Sequence, residues 1–149
     1  MRIAFYLTIF LGIITLTACQ KNNYSNQNKQ ENILSVERIE SSRKMHYNLI
    51  VDKHAVALIK NENDTIRIKN TTKEWENLTK LMNQILLEKL DNIKSPSQAF
   101  MHDGAPNVVL KFQTKDSTYY SNPYDKGNPA KELKKIDDYL IELSTSLSK

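Results

Sequence analysis

The sequence predicts an α+β fold: a two-layer domain with an antiparallel sheet of about six strands, in ββββαββα order, and two helices packed on one face. Three observations carry this expectation. Residues 45–52, 65–69 and 107–115 alternate apolar and polar side chains, the period-2 mark of strands with one buried face. Two other stretches, one starting near Thr71 and one near Asn128, repeat apolar residues at three- and four-residue intervals, as helices with one buried stripe do. Most connections between the strands are short, which makes sequential strands antiparallel neighbours, and single-striped helices must then cover a sheet face.

Taken in order, residues 33–40 form a weakly patterned first strand through Ile33, Leu34, Val36 and Ile39. In residues 45–52, Met45, Tyr47, Leu49 and Val51 point one way, and His46, Asn48 and Asp52 the other. A turn at Asp52-Lys53 leads into a partner strand over 54–60 with Val56 and Leu58. The polar cluster 61–64 is a second turn, and 65–69 follows with Ile66 and Ile68 inward. Thr71 and Glu74 then match a capping box, in which each side chain satisfies a free backbone N–H of the other. Trp75, Leu78, Leu81, Met82 and Ile85 form the stripe of a helix reaching Leu87 or Leu90. A loop runs from Ser95 through Gly104 and Pro106. Residues 107–115, with Val108, Leu110 and Phe112 inward, pair with 117–121. A second loop covers 122–129, and Asn128 caps a last helix with Pro129 in its first turn. Its stripe is Leu133, Ile136, Leu140, Leu143 and Leu147.

The N-terminus is of another kind. Met1-Arg2 gives a positive start, and residues 3–17 form an apolar run. That run is short of the roughly 20 residues that span a bilayer, and it fits a secretory leader. It ends in Leu16-Thr17-Ala18-Cys19, which resembles the lipobox of bacterial lipoproteins. The resemblance implies a signal peptide over 1–18, cleavage before Cys19, and palmitate-containing lipid on the Cys19 thiol as the membrane anchor. Two or more acyl chains hold a protein on a membrane stably, whereas one does so marginally. A plain signal-anchor helix with an incidental cysteine is the alternative, disfavoured by the short run and the polar sequence directly after it. Gln20 stands where inner-membrane lipoproteins often carry Asp, and no acidic residue precedes Glu31. By the same resemblance, the expected location is the outer membrane, facing the periplasm.

Residues 20–32 hold one aromatic and no aliphatic side chain, too little apolar surface to offset ordering entropy. With Cys19 they make a lipidated, Asn/Gln-rich flexible tether over 19–32, of typical reach about 20 Å. An Asn/Gln-rich partner-binding segment is the alternative reading. The globular domain is then 33–149, enough chain for one core. The formal charge is +4, about +3 once Arg2 leaves with the leader. It is spread along the chain without the basic, aromatic-interleaved stripe of nucleic-acid binders, so no nucleic-acid partner is expected. The single cysteine excludes an internal disulfide.

No motif names a reaction, a cofactor or a metal. Three glycines, one of them in the leader, are too few for a phosphate-cradling loop. His46 and His54 flank a hairpin and, with Asp52, offer a thin metal set; exposed strand residues are the bland reading. The two long loops flank one hairpin, so they emerge at the same end of the sheet. That makes His102, Asp103, Tyr124 and Asp125 a candidate binding surface, since recognition residues favour loops on a rigid frame. Turn chemistry is the competing account, because Asp103-Gly104 and Asn128-Pro129 are common turn and helix-start pairs.

From Trp75 onward the chain also resembles a family of small, uncharacterised lipoproteins of Gram-negative bacteria. The matching pieces are Glu74-Trp75, Ser95-Pro96-Ser97, Asp103-Gly104-Ala105, the Tyr119 strand and Asp125-Lys126-Gly127-Asn128-Pro129. They span about half the chain, and the resemblance implies no activity. The expected function is a membrane-anchored, non-enzymatic protein-binding module, an accessory subunit or inhibitor of an envelope protein. The alternative is a small-ligand or metal binder using the 102–103 and 124–128 loops. A hydrolase is motivated by compartment alone. The mild positive charge argues against a lysozyme-type inhibitor, whose targets are often basic.

Overall fold

The computed structural model describes residues 33–61 and 63–147; the expected signal peptide, Cys19 and the tether lie outside them. Four strands open the chain: β1 (Ile33–Ser41), β2 (His46–Asp52), β3 (Ala55–Lys60) and β4 (Asp64–Lys69). Helix α1 (Thr72–Met82) follows, then a 3-10 helix (Leu87–Asn92) and a single-turn helix α2 (Phe100–Asp103). Strands β5 (Asn107–Thr114), β6 (Thr118–Tyr120) and β7 (Tyr124–Asp125) precede the last helix, α3 (Lys131–Leu147). All seven strands form one antiparallel sheet in the order β4-β3-β2-β1-β5-β6, with β7 also paired to β5. The α+β class and the antiparallel sheet agree with the sequence. No helix among the described residues is long and apolar enough to cross a membrane.

Cross-strand register shows why the alternation was readable. Val36 lies between Val51 and Phe112, and Leu49 opposite Leu58, so these side chains share a face. They belong to one buried cluster with Leu78 and Met82 of α1 and Leu133, Ile136 and Leu140 of α3. On the other face Ile39, Ile50, Ile59 and Val109 are only half-buried, and Lys111 bonds Glu37 at 2.7 Å between strands.

β1 reads weakly because it breaks the pattern twice. Its register against β5 shifts between Ile33 and Ser35, a bulge at Leu34 that turns Ile33 inward and leaves Leu34 exposed. Further along, the inward positions are Arg38 and Glu40, both buried.

Several expectations are corrected. The helix expected to reach Leu87 or Leu90 stops at Met82, with Asn83 as its C-cap. Continuing it would carry Glu88 and Lys89 onto the buried stripe. Breaking it and restarting as a 3-10 helix buries Leu87 and Leu90 instead. Ile68 is 45% exposed, because β4 is the outermost strand. The expected 95–106 loop contains α2, and Tyr124 and Asp125 form a strand rather than a loop. α3 begins at Lys131, two residues beyond the expected Pro129 start. The capping box is as expected: Thr71 Oγ1 accepts from Glu74 N–H, and the Glu74 carboxylate accepts from Thr71 N–H.

Phe112 is fully buried in the central layer. Phe112→Ala is expected to lower unfolding stability by about 3–5 kcal/mol, and Ile68→Ala on the outer strand by less than about 0.5 kcal/mol, in urea titrations.

Candidate functional site

A chain of charges crosses the buried face of the sheet. Arg38 follows Val36 inward on β1, so its guanidinium enters the core, where an unpaired charge would be costly. α3 answers with Asp137, which sits on the apolar stripe one turn from Leu133 and Leu140 and is fully buried. Arg38 Nε donates to Asp137 Oδ1 at 2.7 Å, and the Tyr124 hydroxyl donates to the same oxygen at 2.8 Å. On its other side Arg38 Nη1 donates to Glu40 Oε2 at 2.9 Å, and Lys126 Nζ donates to Glu40 Oε1 at 2.6 Å. Two cations and two carboxylates, drawn from β1, α3 and the loop after β7, thus form one continuous network with Tyr124.

Charges respond to this environment. For Arg38, burial works against the charge, but Asp137 and Glu40 outweigh it and hold the guanidinium more firmly protonated than usual. Burial would raise the Glu40 carboxyl, yet hydrogen bonds from Lys126 and Arg38 hold it below its ordinary range. The Tyr124 hydroxyl is pushed well up, by burial first and then by the Asp137 carboxylate.

Beside the network lies a cavity of about 230 Å³. Its floor is the sheet: Arg38 pairs with Leu49, Leu49 with Leu58, Glu40 with Tyr47, and Tyr47 with Lys60. Lys126 and Ser144 of α3 complete the lining.

The four residues expected to form a binding surface divide. The two loops do meet: the Asp125 carboxylate accepts from Phe100 N–H at 2.7 Å and Ala99 N–H at 3.2 Å, and Lys126 N–H donates to Pro106 C=O. Asp125 therefore anchors the turn carrying His102 and Asp103, and its carboxyl is held below the usual range by Ser97 first and then these amides. His102 is exposed. Tyr124 is not on that surface. Neighbouring strand residues face opposite ways, so β7 sends Tyr124 into the core while Asp125 points to the other face. Gly127 (φ 83°) occupies the third position of a turn closed by Asn128 N–H to Asp125 C=O, where positive φ is required. Gly104 (φ 70°) ends α2 beneath the Arg43 side chain.

His46 opens β2 and His54 lies in the turn just past its other end, about 20 Å away at the usual rise per residue, so they cannot share an ion. Asp52 instead accepts from the His54 and Ala55 amides in the hairpin turn. Among the described residues no three His, Cys, Asp or Glu side chains are grouped to hold a metal.

Arg38, Glu40, Lys126 and Asp137 were missed as site residues. Their signal was present: a charged residue in phase with the inward side chains of a strand, and an acid on a helix stripe. No family model matches the chain, and neither a curated protein nor a solved structure matches it.

Because the folded Glu40 pKa lies below its ordinary value of 4.5, its contribution is complete above that value and disappears as pH falls through the folded pKa. Glu40→Gln is expected to be less stable than the native chain at pH 6 by roughly 1.5–3 kcal/mol, with the gap closing below pH of about 4.5 in denaturant titrations.

Proposed function

We propose that this protein is a membrane-anchored envelope lipoprotein that acts as a non-enzymatic protein-binding module, held by lipid on Cys19 at the periplasmic face of the outer membrane. In this reading both long helices lie on one face of the sheet, a two-layer arrangement supported by their shared core and by the Tyr139 hydroxyl donating to Glu74 C=O.

One observation supports the binding reading most. The chain enters the domain at Ile33, beside Thr114, and β1 then runs to Ser41, beside His46 and Asn107. At about 3.3 Å per residue, the far end of β1 stands roughly 25 Å from the entry point. The β1–β2 turn, the β3–β4 turn and the loops at 104–106 and 126–128 all gather there. A tether attached at Ile33 would leave that end free to face a partner. It carries Arg43, Lys44, Lys60 and Lys126 against the exposed Asp64 opposite Lys60, with Glu40 buried below. The partner surface that fits is acidic, which accords with the expectation that a basic hydrolase is not the target.

The alternative, a ligand or metal held by the 102–103 and 124–128 loops, has less support, since Asp125 is already engaged with two backbone amides.

Cells fed labelled palmitate, crosslinked and fractionated test both halves of this reading. The native chain is expected to carry label and to retain an envelope protein. Cys19→Ser is expected to lose the label, and Arg43→Glu with Lys44→Glu to keep the label and lose the partner. Label that survives Cys19→Ser contradicts the anchor; a partner retained by the double variant, or none for the native chain, contradicts the binding end.

A further inference from the structure

The cavity has more hydrogen-bond donors than the protein uses. Among the described residues Glu40 is the only carboxylate lining it, and both of its oxygens are taken, one by Lys126 and one by Arg38. The cations Arg38, Lys60 and Lys126 line the same space; with Asp137 paired behind Arg38, the cluster carries three positive groups to two negative, and Lys60 supplies the excess. The Arg38 side chain is 7% exposed, and its Nη2 has no hydrogen-bond partner. A buried guanidinium nitrogen left unpaired is costly, and what it lacks is an acceptor; the second oxygen of the Asp137 carboxylate, Oδ2, is also buried without a partner beside it. Lys60 makes no ion pair among the described residues and stands opposite Tyr47 at the mouth of the strand pair. The rest of the floor is apolar: Leu49, Leu58 and the ring of Tyr47.

We propose that this cavity binds a small carboxylate with a compact apolar body. The carboxylate oxygens accept from Arg38 and Lys60 with Lys126 adding charge at the rim, and the body lies on Leu49, Leu58 and Tyr47. At about 230 Å³ the space is below the roughly 300–1,000 Å³ of pockets for drug-sized molecules, so the ligand is a short-chain acid rather than a long acyl chain. A carboxylate suits the site better than a free phosphate, because a strongly hydrated dianion gains nothing from the leucine floor. This inference shares Lys60 and Lys126 with the end assigned to a partner, but its ligand sits on the covered face of the sheet and needs no partner.

Its test is a titration of the full chain in non-ionic detergent with sodium acetate, butyrate and hexanoate, with hexanamide and inorganic phosphate as comparison probes. The Leu49 and Leu58 methyl resonances and the Tyr47 ring resonances report occupancy. Butyrate or hexanoate is expected to shift them saturably, and hexanamide and phosphate to leave them in place. Lys60→Gln is expected to keep the native spectrum elsewhere and to weaken binding by about tenfold, the scale of one lost charge-assisted contact, and Lys126→Gln, which removes rim charge and releases Glu40 Oε1, to weaken it at least as much while perturbing only the surroundings of Glu40. No saturable shift with any carboxylate overturns the proposal. So does hexanamide binding as well as hexanoate, phosphate binding as well as either, or undiminished affinity in both lysine variants.

Discussion

The buried guanidinium of Arg38 is the constraint around which the rest of this structure is arranged. A central strand that turns an arginine toward the core demands a counter-charge at a fixed height and on a fixed side. Asp137 supplies it from α3, so the helix cannot slide along the sheet without stranding both ions. Tyr124 donates to the same Asp137 oxygen, which locks β7, and with it the start of the loop to α3, against the strand. Glu40 and Lys126 extend the chain of pairs outward to a lysine side chain that is 50% exposed. Hydrophobic burial supplies most of the driving force for folding, but it is non-directional. The ion network is what makes one placement of α3 better than its neighbours.

Much of the sheet was legible because exposure alternates with sequence wherever one face is covered. Val108, Leu110 and Phe112 are each fully buried, and the residues between them are not. The capping box was legible for a similar reason, since both of its partners are local. What escaped the sequence depends on long-range partners. The break after Met82 is decided by where Leu87 and Leu90 must sit, which helical periodicity alone does not show. β7 has two residues and exists only because Asn107 and Val108 lie beside it. Tyr124 and Asp125 read in the sequence as one surface, yet strand geometry sends them to opposite faces.

The loop end shows the same division between local and distant causes. That the two loops meet follows from hairpin topology, and they do meet. That Asp125 would be consumed in holding Ala99 and Phe100, and so would serve the frame rather than a ligand, needed the positions of residues 25 and 26 away in sequence. The residues with spare capacity are instead Arg38, at Nη2, and Lys60, both lining the cavity. They were hidden because Arg38 and Glu40 look, in isolation, like noise in a weak strand. The physical rule they illustrate is general: a charge in phase with core residues signals a buried pair, and its partner is to be sought on the stripe of a covering helix.

The most direct test of this account is a double-mutant cycle on Arg38 and Asp137, with Arg38→Met, Asp137→Leu and the pair compared by urea unfolding. Arg38→Met strands the Asp137 carboxylate and Asp137→Leu leaves the Arg38 guanidinium with Glu40 alone, so each single change is expected to cost about 3–5 kcal/mol, while the double change, which removes both ions of the pair, is expected to cost far less than the sum. Near-neutral single variants, or costs that simply add, would contradict the claim that this pair fixes the helix on the sheet.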